Sequence, residues 1–315
     1  MGVASQAIHD LDRRQMAGIG RRLKERVFGA VTVGAALSCG CTSLASGADT
    51  AQELVPADPH WACLTKTPEP FPLVAPVPKN VTFALPISDY RILPPVPVPN
   101  LIVKACQIQD YDCNQAVGLV LNPMNSPVQL YGTTYQVPVY PIVMPYAVDS
   151  FIRITAPNYL QTEYYLGGPL LGARDNTMMN GLPLVVALPV TPILAVDADN
   201  LAKAVQITRN PNAAIIAMRT LDCLDQPAAG VTLSLSVKGV PFTFLTGQPT
   251  FSSEPTNETG LAGFANIEVS NDSFINVTVE GTAPNGVTYG KVNVTIRGGQ
   301  LTQGNIRPDI GLFGL

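Results

Sequence analysis

Histidine is almost missing from this chain: His9 and His60 are the two imidazoles in 315 residues, and Trp61 is the one indole. A metal centre that gathers several histidines from one chain is thereby excluded. Charge is scarce too. Asp, Glu, Lys and Arg make up 13% of the residues and the formal net charge is −4, so no basic face is available to neutralise a phosphate backbone, and nucleic acid is excluded as a partner. No Gly-rich loop followed by Lys offers a phosphate cradle. What is plentiful is punctuation, 29 Pro and 26 Gly, set in a chain that is 46% hydrophobic. Such a composition fills cores but interrupts itself often, which favours short strands over long helices.

The N-terminus is read first for targeting. Arg21, Arg22, Lys24 and Arg26 precede an apolar run from Val27 to Leu37, and Cys39 and Cys41 follow among small residues. A basic stretch, an apolar stretch and a processing site describe a signal peptide, and the run is shorter than the ~20 residues that span a bilayer. Leu37-Ser38-Cys39-Gly40-Cys41 resembles a bacterial lipobox. Gly40 favours Cys41 as the lipidated residue, with Cys39 as the alternative. Residues 1–40 are thus expected to be removed, starting from Met1 or Met16, and residues 41–59, rich in Ser, Ala, Asp and Gly without apolar period, are expected to be a flexible tether. The expected location is the bacterial cell envelope, with the chain held at the outer membrane by its lipid.

Beyond the tether, alternation with period two recurs. Val231, Leu233, Leu235 and Val237 alternate with polar residues, as do Ile275, Val277 and Val279, and Val292, Val294 and Ile296. Val81 to Ile87, Leu101 to Ile108, Phe151 to Ala156 and Leu182 to Val190 are matching segments. Half-buried strands bounded by Gly, Pro, Asn and Asp predict an all-β chain of two tandem antiparallel β-sandwiches. Asp199 to Val205 is helix-like with Asp199 as its cap, and Asn210-Pro211-Asn212 breaks it. The expected division is a first sandwich at 60–196, a helical linker at 197–207 and a second sandwich at 208–312. Asp112-Cys113 and Asp222-Cys223 each stand in a polar turn between apolar segments, a faint repeat in keeping with two copies of one fold.

Ala213 to Arg219, the turn Asp225 to Val231, and Thr256-Asn257-Glu258-Thr259-Gly260-Leu261-Ala262-Gly263-Phe264 resemble the carboxypeptidase regulatory-like domain. That resemblance implies a prealbumin-like sandwich of Greek-key type at 208–312. Within the hairpin, Asn257 is expected to bond its own turn, Gly260 to take positive φ, and Phe264 to return to the core. The first half, with Trp61-Ala62-Cys63, Val103 to Cys106 and Ile154 to Leu160, is similar to domains of myxobacterial-type predicted lipoproteins. These motifs are structural and imply no catalytic residue.

Four cysteines lie beyond the processing site, and an exported chain is read first as a disulfide framework. Cys106 and Cys113 flank a polar turn between strands and are expected to bridge. Cys63 and Cys223 either bridge, clipping the N-terminal arm to the second half, or remain separate buried thiols. A Ser-His-Asp or Cys-His site would have to use His60, with Cys63 as the candidate thiol. Asp110/Asp112, Asp197/Asp199 and Asp222/Asp225 are read as turn-forming carboxylates rather than cation ligands. No metal and no cofactor is expected. Tyrosines crowd Tyr131 to Tyr165, and Tyr131, Tyr135, Tyr140 and Tyr146 are the expected contact surface for an envelope protein or polysaccharide, against a reading as core and edge packing. Function is expected to be that of a non-catalytic module, the competing reading being a secreted hydrolase or a peptidase-accessory protein.

Overall fold

The computed structural model describes residues 58–65, 79–89, 97–130, 133–167, 178–179, 182–186, 190–204, 207–245, 248–250, 252–270 and 273–308. The signal peptide, Cys39, Cys41 and the tether up to residue 57 therefore lie outside the described residues, as does Tyr131. A 3-10 turn at Ala62–Thr65 comes first, followed by β1 (Asn80–Pro86), β2 (Ile102–Gln107), β3 (Leu119–Val120), β4 (Met124–Leu130), β5 (Thr133–Pro145) and β6 (Ser150–Thr155). Then come β7 (Thr162–Tyr165), β8 (Met178–Met179), β9 (Leu182–Val186) and the helix α1 (Ala195–Ala204). The remainder is β10 (Ala214–Thr220), β11 (Thr232–Leu235), β12 (Val240–Leu245), β13 (Gln248–Thr250), β14 (Leu261–Ile267), β15 (Phe274–Thr282), β16 (Thr288–Arg297) and β17 (Leu301–Ile306). The chain is an all-β sandwich protein, as the alternation predicts.

The strands form three layers. The middle sheet has eight strands in the order β13-β12-β14-β10-β17-β7-β6-β2. One of its faces is covered by the three-stranded sheet β11-β15-β16, whose Val277, Val279, Val292, Val294 and Ile296 meet Phe151, Tyr165, Ile216, Met218 and Phe264. The other face is covered over β2, β6 and β7 by a sheet in the order β3-β5-β1-β9-β8, with β4 added on β5. Here Phe83, Leu85, Ile142 and Met144 meet Ala105, Ile152, Ile154 and Tyr164. Consecutive residues of β6 and β7 thus enter different cores, and all four residues of β7 are buried. A strand covered on both sides has no polar face to show.

This corrects the expected division at 197–207. A short helix does stand there, but the strands before and after it belong to one sheet: β17 pairs in parallel with β7 on one side and β10 on the other. The two sandwiches share their middle layer, and the described residues belong to one compact unit. The pairing is also mixed rather than wholly antiparallel, since β1 and β9 run parallel as well. Asp199 does not cap the helix, which begins four residues earlier; it accepts from Arg209 Nε at 2.7 Å. The prolines that follow Met124 stand within strands β4 and β5. β5 carries Pro138, Pro141 and Pro145, and the carbonyls of the first two still accept from Ile87 and Leu121 at 3.0 and 2.8 Å.

The Thr256–Phe264 hairpin has the local chemistry its sequence suggests. Asn257 Oδ1 accepts from the Thr259 amide and hydroxyl at 3.0 and 2.7 Å. Gly260 has φ of 63°, and a Cβ there would sit 2.5 Å from the Thr220 carbonyl oxygen. Phe264 is buried.

Candidate functional site

The most constrained chemistry gathers where residues 58–65 meet the turn after β10. Asp222, almost wholly buried, organises that turn: its Oδ1 accepts from the amides of Leu224 and Gln226 at 2.8 and 2.9 Å. Its other oxygen, Oδ2, pairs with Nδ1 of His60. The His60 carbonyl accepts the Cys223 amide at 3.0 Å, and the His60 amide donates to Asp58 Oδ1 at 3.0 Å. A disulfide joins Cys63 to Cys223, with Cα atoms 5.6 Å apart. Trp61 meets the ring of Tyr289 edge-on at 5.8 Å, and Trp61 and Leu64 cover the core between the middle sheet and β11-β15-β16. Tyr289 is fully buried and its hydroxyl donates to the Ile306 carbonyl at 3.1 Å.

The arm is thus held by a covalent bond, an aromatic contact and an ionisable pair. The hydrogen bond to Asp222 holds the pKa of His60 above the ordinary imidazole value, against a smaller opposing effect of desolvation. The imidazole is half exposed while its partner is not, at 52% and 2% of their side-chain surfaces. An oriented His-Asp pair is half of a nucleophilic site, and the other half would be a thiolate or alkoxide. The Cys63 sulfur cannot serve, because it is bonded to Cys223. Among the described residues no group of three or more His, Cys, Asp or Glu is placed to hold a metal ion.

The second disulfide, Cys106–Cys113, closes the turn after β2 with Cα atoms 5.3 Å apart. Cys113 takes φ of 54°. Asp110 accepts from the Gln115 amide at 2.8 Å, and bonds from the Gln115 and Asn114 amides hold its carboxyl below the usual carboxylate range. Two guanidinium groups converge on the same turn. Arg153 donates to the carbonyls of Tyr111 and Asp112 at 2.7 and 2.6 Å, and Arg297 donates to Tyr111 at 2.7 Å and to the Asp112 carboxylate at 2.8 Å. Arg153 also pairs with buried Glu163 at 2.6 Å. Burial pushes the Glu163 carboxyl up, while the charge of Arg153 pulls it down. The acidic residues 110, 112 and 222 therefore do turn chemistry.

The tyrosine surface needs correction. Tyr140 is buried in the core between β1, β5 and the middle sheet, Tyr146 packs against the same core, and Tyr135 is half-buried. Tyr164 and Tyr165 lie inside the middle layer, and Tyr159 donates to buried Asp89 at 2.5 Å. Tyr140, Tyr164 and Tyr165 fill the interior because β5 and β7 are covered strands, so among the described residues the expected contact tyrosines form no common exposed face. Sequence reasoning missed Tyr289 and, for Asp222, which it read as a turn carboxylate, the pairing with His60. Chain continuity carries a signal for that pairing: bridging Cys63 to Cys223 brings His60, three residues before one cysteine, beside Asp222, the neighbour of the other.

No protein-family model and no curated protein matches the chain. Two solved structures are similar to it. One is a streptococcal ancillary pilin, at 10% identity, covering 72% of this chain and 68% of that one, with a TM-score of 0.21. The other is BcpA, the major pilin subunit of Bacillus cereus, at 10% identity, covering 73% of this chain and 59% of that one, with a TM-score of 0.20. Neither likeness assigns a role to this chain.

Proposed function

We propose that the chain is a non-catalytic lipoprotein of the bacterial envelope, an outer-membrane-anchored β-sandwich body, of carboxypeptidase regulatory-like type in its second half, that serves in structure or in holding a ligand. The observation that supports this best is the bonded arm. Residues 58–65 follow directly on the tether, and Cys63–Cys223 ties that point to the turn after β10. Tension arriving along a tether from a lipid at Cys41 would reach a covalent bond before it reached any strand. Two disulfides also suit an oxidising compartment outside the cytoplasm, and the disulfide leaves His60 without the neighbouring thiolate that a hydrolase reading would use.

Mass spectrometry of the mature N-terminus from a membrane fraction tests the reading. The expected result is a diacylated Cys41, lost with release of the protein in Cys41→Ala. An unmodified N-terminus well away from Cys39 and Cys41 refutes the anchor.

A further inference from the structure

The two disulfides differ in what an approaching solute meets. Cys106 and Cys113 are 0% and 3% exposed and belong to the core beneath β11-β15-β16, and the turn between them is fastened by Arg153 and Arg297. Cys63 and Cys223 are half-buried, and exposed residues flank them on both segments: Asp58, Pro59 and His60 before one, Leu224, Asp225 and Gln226 after the other. Thiol–disulfide exchange needs a sulfur that an outside thiolate can approach. Of the two bridges, the one that holds the arm offers it.

Local hydrogen bonding also gives this bridge a direction. The Cys63 amide donates to Sγ of Cys223 at 3.1 Å. An N–H aimed at a sulfur favours the thiolate over the thiol there, and exchange is faster when the departing sulfur is the better thiolate. Attack is therefore favoured at Sγ of Cys63, with Cys223 leaving.

We infer that Cys63–Cys223 is an exchange site for an external dithiol, and that opening it turns the arm from a bonded segment into a reversibly docked one. One thiolate of the dithiol bonds to Sγ of Cys63 as the S–S bond breaks, and the electron pair leaves on Cys223, which takes up a proton. The second thiol of the dithiol, giving up its proton, then attacks the first one's sulfur and expels Cys63, which is protonated in turn. The protein gains two electrons and two protons, and the dithiol becomes a disulfide. What still holds the arm is the edge of Trp61 on Tyr289, the packing of Leu64 and the His60–Asp222 pair. These contacts keep Cys63 beside Cys223, so an oxidised partner closes the bridge again in place. Each time the reduced arm lifts, the Cys223 amide loses the His60 carbonyl and Tyr289 loses its aromatic neighbour.

Treating the full exported chain with dithiothreitol under native conditions, alkylating at timed intervals and mapping peptides by mass spectrometry tests the assignment. Thiols are expected at Cys63 and Cys223 at least ~10-fold sooner than at Cys106 and Cys113. Simultaneous opening of the two bridges, or earlier opening of Cys106–Cys113, overturns it. With glutathione as a monothiol, quenched early, the adduct is expected on Cys63 and the alkyl group on Cys223, and the reverse pattern overturns the direction of attack. Hydrogen exchange then reads the arm: in the reduced chain the Cys223 and Leu64 amides should exchange at least ~10-fold faster than the amides of β15 and β16, and faster than in the oxidised chain. Cys63→Ala/Cys223→Ala should show the fast arm with no dithiol present. Arm amides that lose protection only together with the strands, or that stay as slow once the bridge is open, overturn the switch.

Discussion

Removing the Cys63–Cys223 bond as the pair Cys63→Ala/Cys223→Ala should destabilise the body more than any single side-chain loss in the middle sheet. The bond closes a loop with a sequence separation of 160 residues. In the chain-entropy account such a closure is worth about 5 kcal/mol, because the unfolded chain regains the freedom of that loop when the bond is absent. Cys106–Cys113 closes a separation of only 7 residues, worth about 2.5 kcal/mol in the same account. The folded side changes little, since Trp61, Leu64 and the His60–Asp222 pair still hold the arm. Against a total stability of about 5–15 kcal/mol, the long bridge accounts for a large share. Reversible urea unfolding of the oxidised wild type and of both double variants is the assay. The expected loss is about twice as large for the long bridge, with a steeper denaturant dependence as the freed unfolded chain expands. A smaller loss for Cys63→Ala/Cys223→Ala than for Cys106→Ala/Cys113→Ala would refute the loop argument, and would mean that contacts around the short turn dominate.

The His60–Asp222 pair makes arm docking pH-dependent. A raised imidazole pKa contributes stability fully present below about pH 6.5, the unfolded value, and lost as pH rises through the higher folded value; His60→Gln should flatten that part of the urea-midpoint profile. Arg153→Met strips the buried Glu163 carboxylate of its ion-pair partner, leaving the Gln161 hydrogen bond and the charge of Arg297, and should cost about 3 kcal/mol, recovered in part as acid protonates Glu163, which thermal melts at neutral and acidic pH will show. Gly263→Ala drives a methyl into the Ile216 carbonyl in the middle of the sheet and should lower stability by about 1–3 kcal/mol or abolish folding, read from soluble yield and melting temperature.

Strand existence was legible wherever one face of a strand is wet. β15 alternates cleanly and its burial alternates with it, and β16 does the same from Lys291 to Val294. Legibility failed where both faces are covered: Thr162-Glu163-Tyr164-Tyr165 has no period to detect, and Glu163 looks like a surface residue until Arg153 is placed opposite it. The prolines of β5 hid a thirteen-residue strand, because a proline signals a break unless the pairing spares its missing amide. The domain boundary was misplaced for a topological reason. A helix and a breaker mark where the chain leaves one sheet position, but nothing local says that a strand ninety residues later returns to pair with β7. At the arm, the cysteines showed which segments meet, whereas Trp61 on Tyr289 is a long-range contact with no local signature. The tyrosine cluster misled because tyrosine composition is the same for a wet face and for a core with a few hydroxyl partners.

The position of β17 sets the order in which this protein can be completed. It is the last described strand, yet it stands fourth from one edge of the middle sheet, between β7 and β10. While the chain is being made or threaded through a membrane, β7 and β10 each wait with an unsatisfied edge, and the sheet exists as two unconnected pieces. Closure needs residues as distant as 162 and 301 to meet in parallel, a long-range step that slows folding and leaves sticky edges open meanwhile. A chain cut short before Leu301 would lose the seam of the sheet instead of a rim, and both bare edges would mark it as unfinished to proteases and to other copies of itself.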